Sequence, residues 1–161
     1  MFKQEFAGLS LFDGLGPDQI HQLSPFMEEV HFEKDQIIFE QGQLAFCLFI
    51  LLEGKVVVRF KPYDAPPLNV TVILPGGVFG WSAALGRKEY TSGAVAMVCC
   101  TAYRLRSDSL KQLYHNCPET GGVLLDRLAG GIAERLKNSH SEVLQILVKG
   151  IESNPNSKKE R

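Results

Sequence analysis

The chain has 161 residues, 17 Lys plus Arg against 18 Asp plus Glu, a formal charge of −1 and 45% apolar residues. That length fits one folding unit rather than two full domains, and the composition excludes a disordered or collagen-like chain. The near-neutral balance lacks the basic excess of a protein that lives on nucleic-acid or lipid phosphates, so function is expected to come from a site.

The first residues, Met-Phe-Lys-Gln-Glu, are too polar for a secretory leader, and no apolar run reaches the roughly 18 residues of a spanning helix. A cytoplasmic protein without membrane contact is expected. Cys47, Cys99, Cys100 and Cys117 form no CxxC pair, and three of them lie in apolar segments that read as strands, so buried, reduced thiols are expected. His21, His31, His115 and His140 are scattered without HxH or HExxH spacing, so no metal site is expected.

Residues 17–24 begin with Pro17 and place Ile20 and Leu23 three apart, which predicts a short helix. The period then changes. Glu29–Glu33, Gln36–Glu40, Phe46–Leu52, Lys55–Phe60, Asn69–Leu74 and Gly93–Leu105 are rich in Val, Ile and Phe and are punctuated by turn residues, as strands are. Glu53-Gly54 has the length of a two-residue hairpin turn, and the proline-bearing stretch Lys61–Leu68 reads as a longer loop. Ser107-Asp108-Ser109 is expected to cap a helix through Tyr114, and Cys117-Pro118-Glu119-Thr120 to introduce a longer one.

In that last helix Leu125, Leu128, Ile132, Leu136, Val143 and Ile146 recur three, four or seven apart. Such a stripe packs on the body or forms a dimer seam, and the helix of about 119–150 is longer than the surface a small barrel offers; a homodimer is expected. Gly121-Gly122 and Gly130-Gly131 mark positions where it could bend. The domain expectation is one unit over 1–150, with strands about 28–106 and C-terminal helices about 107–150, followed by a disordered polar tail over 151–161. The fold expected is mainly β: an eight-stranded antiparallel jelly-roll barrel flanked by helices.

Two segments carry more than periodicity. Gly42 through Gly54-Lys-Val-Val-Val58, with its apolar strand before the second glycine, and Leu74-Pro-Gly-Gly-Val-Phe-Gly-Trp-Ser-Ala-Ala-Leu85 together resemble the cyclic nucleotide-binding domain family. The resemblance covers about residues 8–140 and includes Leu11-Phe12-Asp13-Gly14-Leu15 and Ser107-x-x-Leu110. It implies a catabolite-activator-like barrel in which a cassette, here Phe79-Gly80 to about Ala94, holds a cyclic nucleotide. Family members place a Glu after Phe-Gly for the ribose and an Arg later for the phosphate. Here Trp81 stands at the Glu position and Tyr90 at the Arg position.

The resemblance makes Phe79, Gly80, Trp81, Ser82, Ala83, Arg87, Tyr90, Thr91 and Ser92 the candidate ligand-binding residues. Arg87 and Lys88 either turn inward as replacement anchors or are solvated charges at a loop tip. Trp81 either stacks on a planar ligand or plugs the pocket. The function expected is therefore a regulatory sensor with a degenerate cassette and weak or altered ligand specificity; the alternative is a dimerisation or protein-interaction module without nucleotide. No enzyme activity and no catalytic residue is expected. No cofactor is expected beyond a cyclic nucleotide or other small ligand. No helix-turn-helix follows the long helix, so output is expected through a protein partner and not by direct DNA binding.

Overall fold

The computed structural model describes residues 9–152. A 3-10 turn (Ser10–Phe12) leads to helix α1 (Pro17–Leu23), and eight strands follow: β1 (Glu28–Phe32), β2 (Ile37–Phe39), β3 (Cys47–Glu53), β4 (Val56–Phe60), β5 (Leu68–Ile73), β6 (Val78–Phe79), β7 (Gly93–Ala96) and β8 (Cys100–Arg106). The short helix α2 (Trp81–Ala84) interrupts them, and α3 (Ser107–Asn116) and α4 (Pro118–Glu152) close the described chain.

The strands form two antiparallel four-stranded sheets, β1-β8-β3-β6 and β2-β7-β4-β5. The sheets do not close on each other, so the expected barrel is corrected to an open two-sheet roll. Nor is the chain mainly β: α4 alone has 35 residues, nearly as many as the eight strands together. Glu53-Gly54 is likewise no hairpin, because β3 and β4 belong to different sheets. The reason lies at Gly54, whose φ of +98° turns the chain from one sheet to the other, and where a Cβ would stand 2.6 Å from both the Cys99 carbonyl and the Cys100 sulfur. Gly93–Leu105 also divides, into β7 and β8, since β7 pairs with β2 and β4 while β8 pairs with β1 and β3.

One core lies between the sheets: Phe39, Phe49, Leu51, Val56, Val58, Ile73, Phe79, Ala94, Ala96 and Cys100, joined by Ala83 and Tyr90 from the cassette. Strand β3 alternates these inward residues with Leu48 and Ile50, which are also fully buried. A strand buried on both faces needs a second layer. Helix α3 packs on β8 with Leu110 and Leu113 buried, and α1 buries Leu23. Burying side chains of this size is worth about 1.5–3 kcal/mol each relative to leaving them in water.

Arg106, not Ser107, occupies the N-cap of α3, and no side chain caps that helix; the strand runs directly into it and leaves Ser107 already helical. The chain divides into two compact units, Met1–Leu125 and Asp126–Arg161, and α4 begins in the first and continues in the second. It runs through Glu152, past the expected end at 150, while 153–161 lie outside the described residues. The cysteines are all free, but only Cys100 is buried and Cys99 is exposed, which corrects the expectation of a uniformly buried set.

Gly121 and Gly122 separate two roles of glycine in one helix. A Cβ at Gly121 would meet the Tyr114 Cα at 2.7 Å, backbone that cannot step aside, whereas one at Gly122 would meet nothing within 4 Å. Gly121→Ala is therefore expected to destabilise the fold by about 1–3 kcal/mol, and Gly122→Ala to stabilise it by about 1 kcal/mol through helix propensity. Thermal melts of the two variants beside the unaltered chain check the opposite signs.

Candidate functional site

The cassette starts where β6 ends. Gly80 has a φ of +80°, and a Cβ there would sit 3.0 Å from the Cys47 carbonyl and 3.3 Å from the Leu48 Cα, so glycine lets the chain turn while touching β3. Phe79 belongs to β6 and to the core, and α2 is only the four residues Trp81–Ala84. Because β7 already begins at Gly93, the cassette is shorter than the expected run to Ala94.

Hydroxyls tie its two ends together. The Thr91 N–H donates to the Ser82 hydroxyl at 3.3 Å, the two hydroxyls stand 3.5 Å apart, and the Arg87 N–H donates to the Ser82 carbonyl at 2.9 Å. The loop after α2 is stitched to the turn before β3 by Tyr90 N–H to Gln43 carbonyl, Gly42 N–H to Tyr90 carbonyl and Ala45 N–H to Lys88 carbonyl, each 2.9 Å. Ser82 and Ala83 are buried, Ser92 is half-buried, and Arg87, Lys88 and Thr91 are exposed.

Tyr90 is the centre of the arrangement. Its ring stacks on Phe39 with centroids 3.8 Å apart and planes 15° from parallel. Phe39 in turn stacks on Phe49 and Phe79, with centroids 5.9 and 6.2 Å away, and those two stack on each other at 5.1 Å. The phenol donates to the Cys47 carbonyl and accepts from the Cys47 N–H at 3.2 Å. Burial pushes its pKa up to about 12. Burial also pushes the Cys47 thiol up, against the opposing pull of Arg104 and Arg106, so this sulfur is held as a thiol and not poised as a nucleophile.

Trp81 is half-buried, yet its indole N–H is sealed from water without a partner among the described residues. A buried donor left unmatched costs about 1–3 kcal/mol. The site therefore offers aromatic surface, hydroxyls and one unmatched donor; among the described residues no group of three His, Cys, Asp or Glu could hold a metal. A cleft of about 510 Å³ elsewhere, walled by Glu29, His31, Glu53 and Thr101, shares no residue with the cassette.

The six stripe positions on α4 do not share one environment. Leu125 and Leu136 are exposed, Ile132 is half-buried and Leu128 is buried; the side chains of Val143 and Ile146 lie outside the described residues. Sequence reasoning missed Phe39, Phe49 and the Cys47 backbone as partners of Tyr90. The apolar character of β2 and β3 marks those phenylalanines as core, but not which side chain meets them.

Residues 29–117 match the cyclic nucleotide-binding domain family. The chain belongs to that family. It is 24% identical over 141 residues to the CRP-like cAMP-activated global transcriptional regulator of Mycobacterium tuberculosis, a match that covers 88% of this chain and 61% of the mycobacterial protein. Its fold is that of a cyclic nucleotide-binding domain from Methylobacillus flagellatus, with a TM-score of 0.80 at 20% identity over 89% of this chain and 81% of the other. It is likewise that of the Thermus thermophilus catabolite activator protein, with a TM-score of 0.71 at 24% identity over 84% of this chain and 62% of the other. The chain thus spans about three fifths of the length of the curated regulators it matches. Among the described residues, no helix is long and apolar enough to cross a membrane.

Burial of the phenol has a pH signature. Its folded pKa of about 12 exceeds the ordinary 10.0, so the native state holds this proton more tightly than the unfolded chain. Its contribution is whole below pH 10.0 and is lost as pH rises through about 12. Tyr90→Phe is expected to keep the ring stack, lose about 1–3 kcal/mol of stability near neutral pH, and lack the alkaline decline. Denaturant melts across that pH range, with tyrosinate absorbance followed in both proteins, check it.

Proposed function

We propose that this chain is a regulatory module of the cyclic nucleotide-binding family whose cassette fills itself, so that cyclic AMP binds weakly or not at all. The observation that carries the reading is Tyr90, buried in a stack with Phe39 and tied through its hydroxyl to Cys47. By resemblance this is the position of the phosphate-binding Arg, and Trp81 stands at that of the ribose-binding Glu. Hydrogen bonds to charged groups are worth about 1.5–3 kcal/mol each, so losing both weakens affinity by about a hundredfold to ten-thousandfold. Arg87 and Lys88, the cations nearest in sequence, are exposed rather than turned inward.

A second reading, a sensor of a different small molecule, is favoured by one observation: the unmatched Trp81 indole N–H. It offers a donor where the family offers an acceptor, so a ligand with an acceptor atom would gain what cyclic AMP loses.

The test is calorimetry and thermal shift with cyclic AMP and cyclic GMP. The unaltered chain is expected to show no stabilisation, where a ligand at 100 times its dissociation constant would give about 2.7 kcal/mol. Tyr90→Arg alone is expected to melt lower, because a guanidinium among Phe39, Phe49 and Phe79 is desolvated without a counter-charge. Trp81→Glu with Tyr90→Arg is expected to recover part of that loss when cyclic AMP is added. Tight binding of cyclic AMP by the unaltered chain would overturn the proposal.

We also infer that two copies join through α4. Leu136, Leu144, Leu147, Val148 and Ile151 are exposed on it, more apolar surface than a lone solvated helix keeps. Leu136→Glu with Leu147→Glu is expected to halve the mass seen by sedimentation without changing the melt of the sheets. A monomeric unaltered chain at tens of micromolar would refute the helix seam.

A further inference from the structure

Two open sheets have four edge strands, and natural proteins guard such edges with charge, proline or brevity because each presents unpaired backbone groups to any other strand. Three of the four are guarded. Strand β1 carries Glu28, Glu29 and His31; β6 has two residues; β2 has three, lies between Glu33-Lys34-Asp35 and Glu40, and pairs irregularly with β7.

Strand β5 is the exception. It pairs with β4 alone and ends its sheet. Among the described residues, none of the loop and turn bonds engages its backbone from Leu68 to Ile73. The stretch Leu68-Asn-Val-Thr-Val-Ile-Leu74 has no charged residue and no proline, and Leu68, Val70, Val72 and Leu74 are each about half exposed, at 54, 47, 47 and 55%. Its protective features are the prolines beyond its ends, Pro66-Pro67 and Pro75, and a bulge where Val58-Arg59 face Thr71 to Asn69, which leaves Val56–Val58 and Thr71–Ile73 in regular register.

We propose that the free edge of β5 docks antiparallel on β5 of a second copy of this chain, joining two four-stranded sheets into one of eight across a two-fold axis. An isologous contact requires a patch complementary to itself. Strand β5 meets this requirement in any antiparallel register, because an uncharged segment sets no like charges opposite each other. Its flanks agree, since the Pro75-Gly76-Gly77 that follows one end is also uncharged and would lie near the Pro66-Pro67 that precedes the other. The backbone groups supply attraction, and the valines supply cross-strand pairs. This contact is independent of α4 and of whether the cassette takes a ligand.

The test is amide hydrogen exchange of the full chain, read over 68–74, at about 2 and about 200 µM, where mass action separates free from paired edges. Exchange of the β5 amides is expected to slow at least about tenfold at the higher concentration. Val70→Lys is expected to abolish that protection while leaving the melting temperature unchanged, whereas Val70→Thr keeps it. Leu136→Glu with Leu147→Glu is expected to leave it intact. Exchange that is the same at both concentrations, or protection that survives Val70→Lys, would overturn the proposal.

Discussion

The contact on which the rest depends is the stack of Tyr90 on Phe39, closed by the bonds between the Tyr90 hydroxyl and the Cys47 backbone. Phe39 comes from one sheet, Cys47 from the other, and Tyr90 from the loop that follows α2. Three parts of the chain that have no covalent reason to meet are therefore held at one point. The aromatic column that continues through Phe49 and Phe79 fills the space between the sheets with side chains. Stacked rings of this kind add about 0.5–1.5 kcal/mol per pair beyond the area they bury, and a phenol without its carbonyl partner could not remain in such surroundings.

This packing changes what the cassette can do. The arginine that the family resemblance implies at this position is a charge available to an anion. A tyrosine bonded at both its donor and acceptor functions is already satisfied, and its stacked ring leaves no advantage for a phosphate. On the function proposed above, the residue that would remove a ligand contact is the one that makes this structural one. Among the described residues, the buried side-chain donor left unmatched is the Trp81 indole N–H, on the opposite side of the bonding code from a carboxylate.

The way the two sheets are connected sets where surface remains. Since β3 and β4 diverge at Gly54 instead of pairing, each sheet acquires its own two edges. The helical layer covers the outer side of β3 and β8, where Leu48, Ile50, Tyr103 and Leu105 are buried. Strand β5, at the far end of the other sheet, has β4 on one side and no second strand beside it among the described residues. Ile73 on it reaches the core, but Leu68, Val70 and Val72 stay exposed, in contrast to the apolar residues of β3, which is buried on both faces.

By itself the sequence determined most of the elements and the family resemblance, though not the short β6 and α2 or the division of Gly93–Leu105 into two strands. The Val-, Ile- and Phe-rich runs Phe46–Leu52 and Lys55–Phe60, the helix starts at Pro17 and Pro118, and the glycines at 54 and 80 are local signals, set by composition and backbone sterics within a few residues. The absence of the charged pair at 81 and 90 was equally legible, because it needs only the order of residues along the cassette. Only the tertiary structure decided which strands pair, that Gly54 passes between sheets rather than reversing within one, that Gly121 is needed against Tyr114, and that Tyr90 faces Phe39 and Cys47. Each of these depends on groups far apart in the chain, Tyr90 and Cys47 being separated by 43 positions. Local preference carries no record of such meetings, since it is the burial of both partners at once that selects them.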